Sequence, residues 1–467
     1  MLVFFILLCF LPSIAPGGIS QDEMDSAVAA SNIHADFITS GNIVNLPYLL
    51  LQKASISFFG LSLYSIKLPS IAISVLAALF IVLLLNRWFK SDVAIVGSIL
   101  TTLSTAFLFL AGSGTPTIMY IFWLALILWL GSKIVGNENT HPMLVISFFF
   151  SLALSMYTPH LIYVAICIGL AGLMHPHLRF ALKQLKFYQL VISVSAFILA
   201  IIPLVFGCIF HPENLTTLAF MQDANMGTYA NNIAASFAPF FSFSMAYDSI
   251  YLAPLFGLAT VALIIIGILA SMGKLFTSRN SVVSLLVIFA IIASGLNQDL
   301  AITIIIPISV LTAAGLESII DKWHSLFPEN PYAHVLGTLP VVVVVLLIVI
   351  SGLSHFIFGY HYTPRVAKNF SDDISIIKNN LSAGDVLLVS QESSHYNFYK
   401  LLENYNSITV MSDIPERNDE VKIASLGGSR SDDNLKLEQI ITSPKSRNSD
   451  RLYIYSKVTE EKGEGEK

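Results

Sequence analysis

The chain has 467 residues, 55% hydrophobic and only 12% charged, with a formal net charge of −5 and a mean hydropathy of +0.73. Soluble domains carry about 25% charged residues, so these values exclude water as the solvent for most of the chain. They also exclude the basic excess that a phosphate backbone demands, and no nucleic acid is expected as a partner.

Charge is unevenly placed. Residues 1–358 carry 11 Lys/Arg and 13 Asp/Glu, whereas residues 359–467 carry 14 and 17, which divides the chain into a transmembrane domain, 1–358, and a soluble domain, 359–467. Apolar runs at about 2–15, 66–86, 93–111, 117–132, 143–156, 160–174, 188–210, 250–272, 281–296, 301–316 and 338–358 predict eleven transmembrane helices. No Lys or Arg precedes the first run, which reads as a span. Ile14-Ala15-Pro16-Gly17 after it also offers the small residues on which a cleavable leader ends.

The loop 16–65 opens with Gln21-Asp22-Glu23-Met24-Asp25. Carboxylates at a membrane edge lose part of their hydration, which raises their pKa and strengthens them as bases toward a hydroxyl. The same acids would also suit the first turn of an interfacial helix, so both readings stay open at this point.

With a cytoplasmic N-terminus, the inward loops hold Arg87, Lys90, Lys133, Arg179, Lys183, Lys186, Lys274, Arg279 and Lys322. The outward loops before residue 359 hold only Lys53 and Lys67. This positive-inside bias predicts a multi-pass membrane protein with its soluble domain outside. Keeping that parity requires the stretches 143–174 and 281–316 each to cross twice. The turns fall at Tyr157-Thr158-Pro159-His160 and Gly295-Leu296-Asn297-Gln298-Asp299. Crossings of about 16 residues cover about 24 Å of a roughly 30 Å hydrocarbon layer, so both turns are expected below the outer surface, in the floor of a recess.

The outer loop 211–249 contains Asp223, Tyr229 and Asp248 among aromatics including Phe237 and Phe241. A loop of that length can cover a recess and touch substrate, or pack as an interfacial belt. His160, at the tip of a submerged turn, is a candidate polar contact in the recess. Cys9, Cys167 and Cys208 lie in apolar runs without metal-ligand spacing and read as packing residues. In the soluble domain, 385–390, 407–411 and 451–455 read as strands and 371–381 and 394–404 as helices, a small α/β module. The polar stretch 412–450 reads as loop and the last residues as a disordered end.

After the first loop's acidic opening come Asn45-Leu46-Pro47-Tyr48-Leu49-Leu50-Leu51-Gln52, then Phe58-Phe59-Gly60-Leu61-Ser62, then Lys67-Leu68-Pro69-Ser70. This order resembles the GT-C superfamily of membrane glycosyltransferases, in the branch with protein O-mannosyltransferases and the aminoarabinose transferase of lipid A. Members have an Asp-Glu pair outside their first helix, a Pro-Tyr segment, a Phe-Gly-x-Ser step and a basic-Leu-Pro-Ser entry into the second helix. More loosely, Pro307 to Leu316, with Ala314-Gly315-Leu316, resembles the family's late Pro-containing helix.

The resemblance implies a GT-C-like all-α bundle with a small α/β domain. It implies inverting transfer of a sugar from a polyprenyl-phosphate donor to a hydroxyl of a glycan, lipid or protein acceptor at the outer face. By motif the general base is Asp22, with Glu23 second. Two features depart from the family. The turn after the third helix, Gly112-Ser113-Gly114-Thr115-Pro116, lacks the usual second acid, and Asn297-Gln298-Asp299 stands where an Arg suited to a lipid phosphate is common. The outward groups left for a phosphate are Lys53, Lys67, His160 and His211, or a bound divalent metal. Asp223, Tyr229 and Asp248 join His160 and Lys53 as substrate-binding candidates. A non-catalytic scaffold of the same architecture is the main alternative. A transporter is disfavoured because no charge lies well inside an apolar run and no inverted repeat is evident.

Overall fold

The computed structural model describes residues 2–15, 17–33, 41, 43–135, 140–219, 226–241, 257–274, 276–296, 298–326, 331–363, 369–391, 393, 395–413, 422–426, 435–442 and 451–457. The first helix, α1 (Leu2–Ile14), leads to a two-residue strand, β1 (Ile19–Ser20), and the loop helices α2 (Gln21–Ser31) and α3 (Leu46–Phe59). The bundle continues through α4 (Leu63–Trp88), α5 (Ser91–Thr102), α6 (Thr105–Gly112), α7 (Ile118–Val135), α8 (Pro142–Ser155), α9 (Ile162–Met174), α10 (Pro176–Lys183) and α11 (Phe187–Phe210). After α12 (Pro212–Ala219) and α13 (Met226–Phe241) come α14 (Leu258–Met272), α15 (Ser278–Ser294), a 3-10 helix (Gln298–Ile304), α16 (Ile305–Leu326) and α17 (Pro331–Tyr362).

Every expected apolar run coincides with a helix or helix pair, residues 250–256 of the eighth run lying outside the described residues. Among the described residues, by length and composition, five helices can cross a membrane alone, or seven when each bent pair counts as one span; α8, α14 and α15 are shorter apolar helices. The chain is a multi-pass membrane protein. Both inferred splits are present: α8 and α9 are separate helices, as are α15 and α16. The run 93–111, expected to be continuous, is bent by 59° between α5 and α6. There the Ser104 hydroxyl accepts from the Phe107 N–H at 3.3 Å and caps a new helix.

Helices approach closely where side chains are missing. A Cβ on Gly267 of α14 would overlap the Leu311 carbonyl oxygen of α16, and one on Gly315 would overlap that of Leu263. Without a hydrophobic driving force between helices in lipid, such small-residue contacts let backbones pack directly. Gly315 belongs to the Ala-Gly-Leu segment singled out above, so that segment is a packing device. At the bundle end bearing Arg87, Arg279 Nη1 donates to the Trp88 carbonyl at 3.0 Å and Lys90 pairs with Asp321 at 3.0 Å. Three loops assigned to one side by charge thus meet.

The C-terminal module contains β2 (Phe370–Ser371), α18 (Asp373–Asn380), β3 (Val386–Leu388), α19 (Tyr396–Asn406), β4 (Thr409–Met411), β5 (Ile423–Leu426), β6 (Leu435–Thr442) and β7 (Arg451–Lys457). Its sheet runs β4-β3-β5-β7-β6, with β3 parallel to both β4 and β5 and the other pairs antiparallel. The stretch 412–450, expected as loop, supplies two of these strands. β5 is only four residues long but runs between β3 and β7, with Ile423, Ala424 and Ser425 buried. Burial from both neighbours makes it a strand without a sequence-length signal.

This module shares its core with the first loop. β1 pairs antiparallel with β2, and Ile19, Met24, Ala27, Ile56, Leu61 and Ile66 join Phe398, Leu402, Leu387 and Ile377 in one apolar cluster. Gly60, at φ 70°, lies where a Cβ would come 3.3 Å from the Tyr405 carbonyl oxygen. The following Leu61 N–H donates to Asn406 Oδ1 at 3.0 Å. The Phe-Gly-Leu-Ser step is therefore the seam between loop and module.

Candidate active site

The site is built from the start of α2. Ser20 caps the helix by accepting from the Glu23 N–H at 3.3 Å, and Glu23 Oε2 accepts in return from the Ser20 N–H at 2.8 Å, a reciprocal capping box. The other oxygen, Oε1, accepts from the Gly114 N–H at 2.6 Å and lies 3.3 Å from Lys67 Nζ. Glu23 and Lys67 are 1% and 0% exposed, and the Lys67 ammonium also sits 6.0 Å over the Phe370 ring of β2. Glu23 therefore has both oxygens engaged inside the protein and acts as a clamp between α2, α4 and the turn after α6.

The neighbouring motif residues tighten the same clamp. Gln52 Nε2 donates to the Gly114 and Ile66 carbonyls at 2.9 and 3.2 Å, while its Oε1 accepts from Ser26 Oγ at 2.7 Å. Ser70 Oγ lies 2.8 Å from Tyr48 OH and donates to the Thr115 carbonyl at 3.2 Å. The Gly112–Pro116 turn, noted above for lacking an acid, receives one from α2 through space. Gly114 permits this approach: a Cβ there would come within 2.8 Å of Ile66 Cγ2 and 3.0 Å of its carbonyl oxygen.

Asp22, one residue before Glu23, is exposed. Its carboxyl is raised above its ordinary value, first by the desolvation of its surroundings and then by the negative charge of Asp25. Asp22 in turn acts electrostatically on Asp299, the half-buried acid in the 3-10 helix before α16. The two ends of the transmembrane sequence thus bring carboxylates into one field. The sequence places Asp299 in a submerged turn and at a departure from the family, but nothing in spacing relates residue 22 to residue 299.

The remaining candidates are held in different ways. Lys53 donates to the Ile33 carbonyl just past α2, a cation at a helix C-terminus. Tyr229 donates to the Ile292 carbonyl at 2.6 Å, its ring lies against Gly295, and Asn232 donates to the Gly295 carbonyl at 3.2 Å. These bonds strap α13 onto the turn leading to Asp299. His160 is 4% exposed, has φ 61°, stacks on Tyr163 and donates its backbone N–H to the Leu218 carbonyl at 2.7 Å. The structure thus places Lys53, Tyr229 and His160 in internal contacts. Asp223 and Asp248 lie outside the described residues. Among the described residues no three His, Cys, Asp or Glu side chains form a metal-binding group.

Comparison with protein-family models returned no match, and no curated protein sequence matched. Solved structures are similar. ArnT from Cupriavidus metallidurans bound to undecaprenyl phosphate aligns at TM-score 0.51 and 10% identity, covering 97% of both chains. The apo state of that protein aligns at 0.51 and 11%, again over 97% of both. The apo Archaeoglobus fulgidus oligosaccharyltransferase aligns at 0.50 and 11%, covering 88% of this chain and 64% of the other. At such identities the likeness speaks to architecture alone: the chain shares its fold with ArnT.

Proposed function

We propose that the chain is a glycosyltransferase of the outer membrane face that moves a sugar from a polyprenyl-phosphate donor to an acceptor hydroxyl, with Asp22 as general base. The observation that carries this reading is the division of labour in the Asp-Glu pair. Glu23 is locked into the fold, which leaves Asp22 exposed on a fixed helix turn with a raised proton affinity. A base works best when its pKa approaches the working pH.

In this mechanism the donor's lipid tail stays among the helices and its phosphate lies at the mouth. Asp22 takes the proton from the acceptor hydroxyl as that oxygen attacks the anomeric carbon from the face opposite the phosphate. The sugar–phosphate bond breaks, the phosphate leaves on the lipid, and configuration at carbon inverts. No three His, Cys, Asp or Glu side chains come together among the described residues, and no step here is routed through a metal. The acceptor is a glycan, a lipid or a protein.

A second, non-catalytic reading draws on Asp22, Asp25 and Asp299, whose negative charges at one mouth disfavour an incoming phosphate. One experiment separates the two: transfer of radiolabelled sugar from a panel of polyprenyl-phosphate donors in membranes bearing wild type or Asp22→Asn. The enzyme reading expects product with wild type and a loss of about 10²–10⁴-fold in the variant. Equal rates in both would remove Asp22 from the chemistry, and no product from the native donor and acceptor would favour the scaffold.

A further inference from the structure

At the bundle end opposite Asp22, the protein holds a cavity that the proposed reaction does not use. α4 carries Lys67 near one end and Arg87 near the other, 20 residues apart, or about 30 Å along a helix. Beside Arg87 and Trp88, helices α7, α8, α9, α10 and α15 enclose a cavity of about 510 Å³, within the ~300–1,000 Å³ range of small-molecule sites.

Glycines create the space. Gly131 of α7 and Gly169 and Gly172 of α9 all line it, and a Cβ added at Gly169 would meet no atom within 4 Å. The wall is otherwise apolar, through residues such as Ile127, Phe148, Leu152 and Ile168. Its charged lining residues are Arg87 and Arg279, with His177 beside them, and no carboxylate is among the lining residues. Arg279 is held rigidly: its Nε donates to Asn280 Oδ1 at 3.1 Å, Nη1 to the Trp88 carbonyl at 3.0 Å, and its guanidinium lies 4.5 Å over the Phe89 ring.

The floor is α10, which turns 92° from α9 at Pro176. Leu178 and Leu182 line the cavity, and Phe180 and Leu182 are exposed apolar side chains beside the exposed Arg179 and Lys183, a composition suited to a helix lying along a membrane surface. The cavity therefore has a hydrocarbon-lined interior, a basic rim and a surface helix marking headgroup depth.

We propose that this cavity binds an anionic glycerophospholipid, with one acyl chain in the glycine-lined interior and the phosphate between Arg87 and Arg279. Basic pockets between helices select anionic headgroups, and the apolar interior requires an amphiphile in place of a free anion. In the topology expected from Lys/Arg placement, the site faces the cytoplasmic leaflet. It is independent of what Asp22 does.

The test uses the full chain in dodecylmaltoside, incubated with phosphatidylglycerol or phosphatidylcholine of the same chain length, with retained lipid counted by native mass spectrometry. Wild type is expected to retain phosphatidylglycerol over phosphatidylcholine by roughly fivefold or more, the preference expected per basic group at headgroup depth. Gly169→Leu should fill the interior and lower retention of both lipids. Arg87→Ala, at an exposed position, should remove most of the headgroup preference and serves alone if the leucine variant does not fold. Equal retention of the two lipids by wild type would overturn the proposal. So would a headgroup preference that Arg87→Ala abolishes while a folded Gly169→Leu protein binds as before, because that lipid would lie on the surface without entering the cavity.

Discussion

Replacing Lys67 by methionine should be among the most damaging single changes available at the bundle end that carries Asp22. Lys67 and Glu23 are 0% and 1% exposed and 3.3 Å apart, so solvent offers neither charge relief when the other is removed. Leaving one member of a buried pair uncompensated costs about 3–5 kcal/mol, a large fraction of the ~5–15 kcal/mol by which a protein is stable. Glu23→Gln with Lys67→Met removes both charges, and glutamine can still close the capping box with Ser20. The double variant should therefore recover about 2 kcal/mol or more relative to the sum of the singles. The assay is equilibrium unfolding of purified protein in mixed micelles of dodecylmaltoside and SDS, followed by hydrogen exchange of α2. If Lys67→Met costs under about 1 kcal/mol, or the two changes simply add, the pair is not the clamp described here.

Asp22→Asn should lose transfer activity without losing stability. A folded-state pKa raised above the unfolded value means that the native protein binds the proton more readily. Ionising Asp22 therefore lowers stability as pH rises through that window. At pH 7 the variant should melt at or above the wild-type temperature, and a clear drop would contradict this. Asp25→Asn removes one of the charges that raise the Asp22 pKa, so the acidic limb of the rate profile should move to lower pH, whereas an upward move would refute the coupling. Gly114→Ala must push against the Ile66 backbone and should cost about 1–3 kcal/mol, read in the same unfolding assay. Gly315→Leu should separate α14 from α16 and sharply reduce the yield of folded protein; wild-type yield would show the close crossing to be dispensable.

Much of the transmembrane plan was legible because lipid imposes blunt rules. Apolar length and Lys/Arg parity located α8, α9, α15 and α16 as separate helices even though their runs are short. Parity could not reveal the bend at Ser104, where one hydroxyl restarts a helix inside an otherwise continuous apolar run. In the first loop, Tyr48, Gln52, Lys67 and Ser70 stood out as a motif, but whether they served chemistry or packing required knowing their partners. The structure makes Glu23 and Lys67 a buried pair and leaves Asp22 outside it. The relation of Asp22 to Asp299 was invisible because it arises from the closure of the whole bundle. β5 was missed for a related reason, since four residues carry little pattern until strands from distant sequence bury them.

The pairing of β1 with β2 joins two strands about 350 residues apart in the chain, with the helical bundle between them. The capped turn that presents Asp22 is thus built against partners that do not exist while most of the bundle is being inserted. Contacts of such sequence separation form late, so a chain stalled or cleaved before Phe370 would hold its helices in the membrane while its acidic turn lacks half of its support. The fold thereby makes the seating of α2 depend on the C-terminal module.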